Sequence, residues 1–189
     1  MGVLESLNTK VSFHPSVILW LSVLGYLQPR IVLPFILSVL LHEGGHFLAL
    51  QILKQPPRRV IFTLGGARME TPELSYQQEF WTALAGPATS LLLGLTLPLW
   101  PMLGGYSLCL GFFNLLPLGS LDGGRMLRCF LLIHFSQASA QLVFRIVTVV
   151  TGILLLLPGL YATVYAQMGL WPLLICAGLL YKALMEGLL

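Results

Sequence analysis

Six apolar stretches of spanning or near-spanning length take up most of this 189-residue chain: Pro15 to Leu27, Ile31 to Leu53, Phe80 to Leu103, Gly104 to Leu118, Leu142 to Tyr161 and Val164 to Leu184. An ordinary soluble domain carries about a quarter charged residues, whereas here 9% are charged and 57% apolar. The chain therefore reads as an all-α polytopic membrane protein, a single domain over residues 1–189 with six transmembrane segments. No length is left for a soluble catalytic domain, so any chemistry sits within or beside the bilayer. A net charge of +3 is too small and too scattered for nucleic-acid binding. Cys109, Cys129 and Cys176 are odd in number, far apart and set in apolar runs, as expected of reduced, packed thiols.

The run from Pro15 to Leu27 follows Lys10 and has the length of a signal-peptide core. The first alanine of the chain is Ala49 and no small-x-small cleavage site stands nearby, so an uncleaved first span is expected. With the N-terminus in the cytoplasm, alternating spans place Lys10, Lys54, Arg58, Arg59, Arg68, Arg125, Arg128, Arg145 and Lys182 inside and Arg30 alone outside. That positive-inside bias fits six crossings with both termini cytoplasmic. The fourth stretch, Gly104 to Leu118, falls short of the ~20 residues of a straight span, and it leads into a broken run from Asn114 through Pro117, Gly119 and Asp122 to Gly124. The longest polar connection, Lys54 to Glu79, contains Val60-Ile61-Phe62-Thr63-Leu64, then Gly65-Gly66, then Ala67-Arg68-Met69-Glu70. This pattern predicts a short membrane-associated β-hairpin after the second span, the alternative being an irregular loop.

The second span holds the residues with chemistry. His42-Glu43-Gly44-Gly45-His46 falls near the middle of otherwise apolar sequence. On an α-helix, residues four apart differ by about 40° of rotation and ~6 Å of rise, so both imidazoles point to one side and can grip one ion. His-Glu-x-x-His is a zinc-binding pattern, and Glu43 projects about 100° round from His42, placed to act as a general base without being a ligand. A chance match is the bland alternative. Depth weighs against it, because a carboxylate at the centre of a span costs on the order of 2.5–3.5 kcal/mol on insertion scales.

A catalytic zinc takes three protein ligands and leaves a fourth position open. His14, His134 and Asp122 are the candidates for the third. The two histidines lie at interfaces, where a polar tip in water is the ordinary role. Asp122 sits in the glycine-rich break; non-helical backbone at membrane depth survives only where protein or a water-filled cavity surrounds it. Its ordinary role would be the N-cap of a helix from Gly123 to Phe135. Gly86, Ser90 and Gly94 recur every four residues in the third span, a small-residue face suited to close packing against the metal-bearing span.

His42-Glu43-Gly44-Gly45-His46 within a span, Ala85-Gly86-Pro87 in the third, and Asn114-Leu115-Leu116-Pro117 leading to Leu121-Asp122-Gly123-Gly124-Arg125 together resemble the site-2 protease family of intramembrane zinc metalloproteases. The loop Phe62-Thr63-Leu64-Gly65-Gly66 and the compact layout are most similar to the sporulation branch of that family. Two departures stand out: Ser120 replaces a proline common before Leu-Asp-Gly, and the sequence ends at Leu189, without the C-terminal CBS domain of many members of that branch, so nucleotide regulation through such a domain is not expected. The resemblance implies His42, His46 and Asp122 as Zn2+ ligands, Glu43 as catalytic base and Asn114 as a residue assisting the substrate or oxyanion. It implies hydrolysis of a peptide bond in a membrane-tethered or single-pass protein substrate in the bacterial cytoplasmic membrane, with membrane inhibitor or activator proteins as further partners. A substrate helix must unwind before attack. An exposed edge at Val60 to Leu64, turned at Gly65-Gly66, is expected to hold the freed segment as an added strand. Two other functions use the same residues: a metal-ion transporter, which has no need of Glu43, and an inactive scaffold, which has no need of an intact ligand set.

Overall fold

The computed structural model describes residues 9–63 and 66–186, which form two compact units divided between Phe113 and Asn114.

The first unit opens with strand β1 (Lys10–Phe13), followed by α1 (Pro15–Leu27) and α2 (Pro29–Ile52), strands β2 (Arg59–Thr63) and β3 (Gly66–Glu70), α3 (Tyr76–Leu93), a 3-10 turn at Gly94–Thr96, and α4 from Pro101 to Asn114. Proline begins both α1 and α2, where its missing N–H costs nothing and its φ is already helical. Ser75 starts α3 with a reciprocal cap: its hydroxyl accepts from Gln78 N–H at 3.3 Å, and its own N–H donates to Gln78 Oε1 at 3.0 Å.

The unit buries polar side chains beside the apolar Leu50, Val60, Ala83 and Leu103 and exposes many large apolar ones. Ser38, His42 and His46 are buried on successive turns of α2, and Thr82 and Ser90 are buried two turns apart on α3, while Leu33, Leu40, Leu48 and Ile52 of α2 are exposed. Such an arrangement suits a lipid surround. Close approach of α2 and α3 depends on Gly45, where a Cβ would stand 2.6 Å from the Ala85 carbonyl oxygen. Ser38 is fixed by its hydroxyl, which donates to the Pro34 carbonyl at 2.9 Å and receives a bond from the Ser107 hydroxyl of α4 at 3.1 Å.

The predicted hairpin is present as β2 and β3, antiparallel, with Phe62 opposite Ala67 and Thr63 opposite Gly66; Leu64 and Gly65 lie outside the described residues. A third strand was not foreseen. β1 pairs with β2 in parallel, so the order is β1-β2-β3 and β2 lies in the middle. The expected exposed edge at Val60 to Leu64 is therefore corrected for Val60–Thr63, whose two sides are both taken. Lys10 N–H donates to the Arg58 carbonyl and His14 N–H to that of Phe62, which turns the even-numbered groups of β2 toward β1 and its odd-numbered ones toward β3. By register and alternation, Val11, Phe13, Val60, Phe62, Ala67 and Met69 share one face, and Lys10, Arg59, Arg68 and Glu70 the other.

The second unit runs from the break through α5 (Asp122–His134) and α6 (Gln137–Val164) to α7 (Trp171–Glu186). Gly123 is needed for the break to fold against α5, because a Cβ there would lie 2.6 Å from the Leu116 carbonyl oxygen and closer still to that of Leu115. The Thr148 hydroxyl of α6 donates to the Pro117 carbonyl at 3.2 Å and ties the break to its own unit. α6 and α7 pack where Gly159 admits Cys176 and Gly152 admits Leu180.

Among the described residues, two helices combine the length and hydropathy of a membrane span, Pro29–Ile52 and Gln137–Val164, with Pro15–Leu27 and Trp171–Lys182 shorter. The expected third span, Phe80 to Leu103, is divided: α3 stops at Leu93 and α4 begins at Pro101, giving a fourth helix of Pro101–Asn114 in place of Gly104 to Leu118.

Candidate metal centre

His42 and His46 sit one turn apart on α2, with 3% and 6% of their surface exposed. Each ring is held from behind by α3. His46 Nδ1 lies 2.7 Å from the Thr82 carbonyl oxygen, and His42 Nδ1 lies 2.8 Å from the Ser90 hydroxyl. A carbonyl can only accept, so His46 carries its proton on Nδ1, and in the neutral ring the lone pair then resides on Nε2. The two Nε2 atoms face one another at 3.3 Å, with the rings nearly perpendicular at 83°. Two nitrogens bound to one zinc at ~2.0–2.1 Å with tetrahedral angles stand about 3.3 Å apart. The imidazole pair fits the ion, and the partners on α3 are of the kind that fix the orientation of metal-binding histidines.

Gly86 makes this placement sterically feasible. A Cβ at that position would lie 2.8 Å from His46 Cδ2 and nearer still to Nε2 and Cε1. The small-residue face of α3 thus does more than pack: Gly86 leaves room for one ring, Ser90 bonds the other, and Gly94 admits Leu108 of α4.

Glu43 turns toward the sheet. Its Oε1 accepts from the Ala67 N–H of β3 at 2.9 Å. Gly66 stands beside it at φ +109°, a conformation suited to glycine, and a Cβ there would come within 3.1 Å of the same oxygen.

In the second unit, Asp122 is buried as the first residue of α5, with Leu121 at the cap position. The capping role considered for Asp122 therefore does not apply, and the aspartate instead has Arg125 Nη1 3.5 Å from its Oδ1. Asn114 is the last residue of α4. His14 caps α1 through Nδ1, and exposed His134 donates to the Phe130 carbonyl at 2.9 Å. Thr82, Ser90, Gly86 and Ala67 were not singled out from sequence as parts of the centre. A main-chain carbonyl or N–H leaves no trace in residue identity, whereas the small-residue stripe was visible and assigned to packing.

Peptidase family M50 matches residues 96–158. A zinc metalloprotease of Methanocaldococcus jannaschii is 30% identical over 149 residues, 69% of this chain and 43% of that protein. A protein of Synechocystis sp. carrying a provisional zinc metalloprotease name is 37% identical over 107 residues, 48% of this chain and 28% of that protein. This chain thus spans less than half the length of either curated relative. The solved site-2 protease from Methanocaldococcus jannaschii superposes with a TM-score of 0.64 at 21% identity, covering 96% of this chain and 92% of that one. This chain is similar to the M50 peptidases and shares the fold of the solved site-2 protease. The comparisons bear on the M50 family as a whole and do not single out its sporulation branch. Zinc metalloprotease chemistry is the common thread of the named relatives, and the two imidazoles of α2 are of the donor type that zinc takes.

Proposed function

We propose that this chain is an intramembrane zinc metalloendopeptidase that cuts a membrane-tethered or single-pass protein. The observation that carries the proposal is the pair of Nε2 atoms 3.3 Å apart, each ring braced through Nδ1 by α3. In this reading His42 and His46 of the first unit and Asp122 of the second, each buried within its own unit, would supply Zn2+ with two imidazoles and one carboxylate. A bound zinc supplies Lewis acidity to the scissile carbonyl and lowers the pKa of water toward ~7. Glu43 takes the proton from the attacking water and delivers it to the leaving nitrogen. Asn114 steadies the developing oxyanion through its side-chain amide.

Of the residues from Val60 to Gly66 assigned to the substrate, Val60–Thr63 now serve as the strand that carries β3. Gly66 opens β3, and the outer side of β3 presents the C=O of Ala67 and the N–H and C=O of Met69, the Ala67 N–H being donated to Glu43. An unwound substrate segment adds to that side, gaining main-chain partners that lipid does not offer. β1 and β2 share one sheet, so residues 10–13 and 59–63 are neighbours; with the cationic Lys10, Arg58, Arg59 and Arg68 beside them, this supports a reading in which they lie on the cytoplasmic side of a bacterial membrane. Co-expression with membrane-tethered candidate substrates tests the proposal: the wild type is expected to cut and Glu43→Gln to leave the substrate whole with zinc still bound. Cleavage by Glu43→Gln would overturn it.

A further inference from the structure

We infer that the main-chain N–H of Ala67 is the positioning group for the catalytic carboxylate, so that the hairpin aims Glu43 as well as holding the substrate. The inference rests on the proteolytic function proposed above and concerns how that site is set.

Three observations converge on it. Ala67 N–H donates to Glu43 Oε1 at 2.9 Å. The register places Gly66, Arg68 and Glu70 as the residues bonded to β2, so the N–H of Ala67 points to the outer side, where the ladder makes no use of it. Gly66, lacking a side chain, leaves Oε1 its room. A glutamate has three rotatable bonds, and an N–H bonded to one carboxylate oxygen fixes the direction of the other through a charge-assisted contact. Residues 67 and 69 are both outward and stand ~7 Å apart along the strand. The edge therefore divides its work: Ala67 serves the base and Met69 serves the bound peptide.

The division predicts opposite kinetic signatures. Ala67→Pro removes the N–H without breaking the ladder and is expected to lower kcat about tenfold while KM stays within about twofold. Ala67→Ser, which retains the N–H, is expected to recover the lost rate. Met69→Pro is expected to raise KM and leave kcat near the wild-type value. The assay uses the full zinc-loaded chain in phosphatidylethanolamine–phosphatidylglycerol vesicles with a single-pass reporter helix carrying a fluorophore and quencher. A rise in KM for Ala67→Pro with kcat unchanged would assign the N–H to the substrate and overturn the inference. A second measurement needs no turnover: in [15N]alanine-labelled protein, the Ala67 amide proton resonance is expected to move upfield in Glu43→Ala. An unmoved resonance rules out the contact, whatever the kinetics. Should the wild type fail to cut the reporter, the proteolytic function falls, and the amide resonance still decides whether Ala67 holds Glu43.

Discussion

Replacing Gly86 by alanine should strip the metal from a chain that otherwise folds. The added Cβ would stand 2.8 Å from His46 Cδ2, where ordinary contact begins at 3.4 Å, so the ring must retreat by at least about 0.6 Å, and by more at Nε2. Metal–ligand distances tolerate about ±0.2 Å. The retreat also stretches the 2.7 Å bond from Nδ1 to the Thr82 carbonyl, and loss of such an outer partner alone typically costs 10–100-fold in affinity. Zinc affinity should therefore fall by at least about 100-fold. Gly44→Ala is the matched control, since a Cβ there meets nothing within 4 Å and replacing glycine within a helix adds up to ~1 kcal/mol of helix propensity. Competition titration with a zinc chelator, alongside thermal unfolding of the metal-free proteins, separates the two. Wild-type zinc affinity in Gly86→Ala would refute the reasoning, because it would mean that α3 yields and the ring does not.

Glu43→Gln should reduce turnover by about 10²–10⁴-fold while bound zinc, measured by elemental analysis, stays at the wild-type level; a transporter would be indifferent to the change. Ser90→Ala removes the hydroxyl behind His42 and should weaken zinc about 10–100-fold in the same titration, with strong residual turnover at saturating metal. Asp122→Ala should abolish both tight zinc binding and cleavage; retention of tight binding would remove the aspartate from the ligand set. Arg68→Pro, which deletes an N–H facing β2, should lower the unfolding temperature more than Met69→Pro, whose N–H faces outward.

What could be read in advance divides along physical lines. His42, Glu43 and His46 were legible because an ionisable cluster in apolar sequence has few explanations, and helical spacing fixes which of them face together. The hairpin was legible from a β-rich run and a glycine pair. β1 was not, since four residues ahead of a proline carry too little alternation to stand out, and its omission made β2 look like an edge. The division of the third stretch was signposted by Pro98 and Pro101, but their weight was overridden by the continuous hydropathy around them. Gly86 illustrates the harder limit: a glycine that admits a neighbouring ring and one that admits a neighbouring helix have the same signature until the partner is placed.

The position of β1 has a mechanical consequence. It lies ahead of the first helix, yet its backbone bonds grip the strand that carries the hairpin, and the hairpin's far strand touches Glu43. Force applied upstream of Lys10 would load this small zipper in shear, along the same line of bonds that reaches the Glu43 carboxylate.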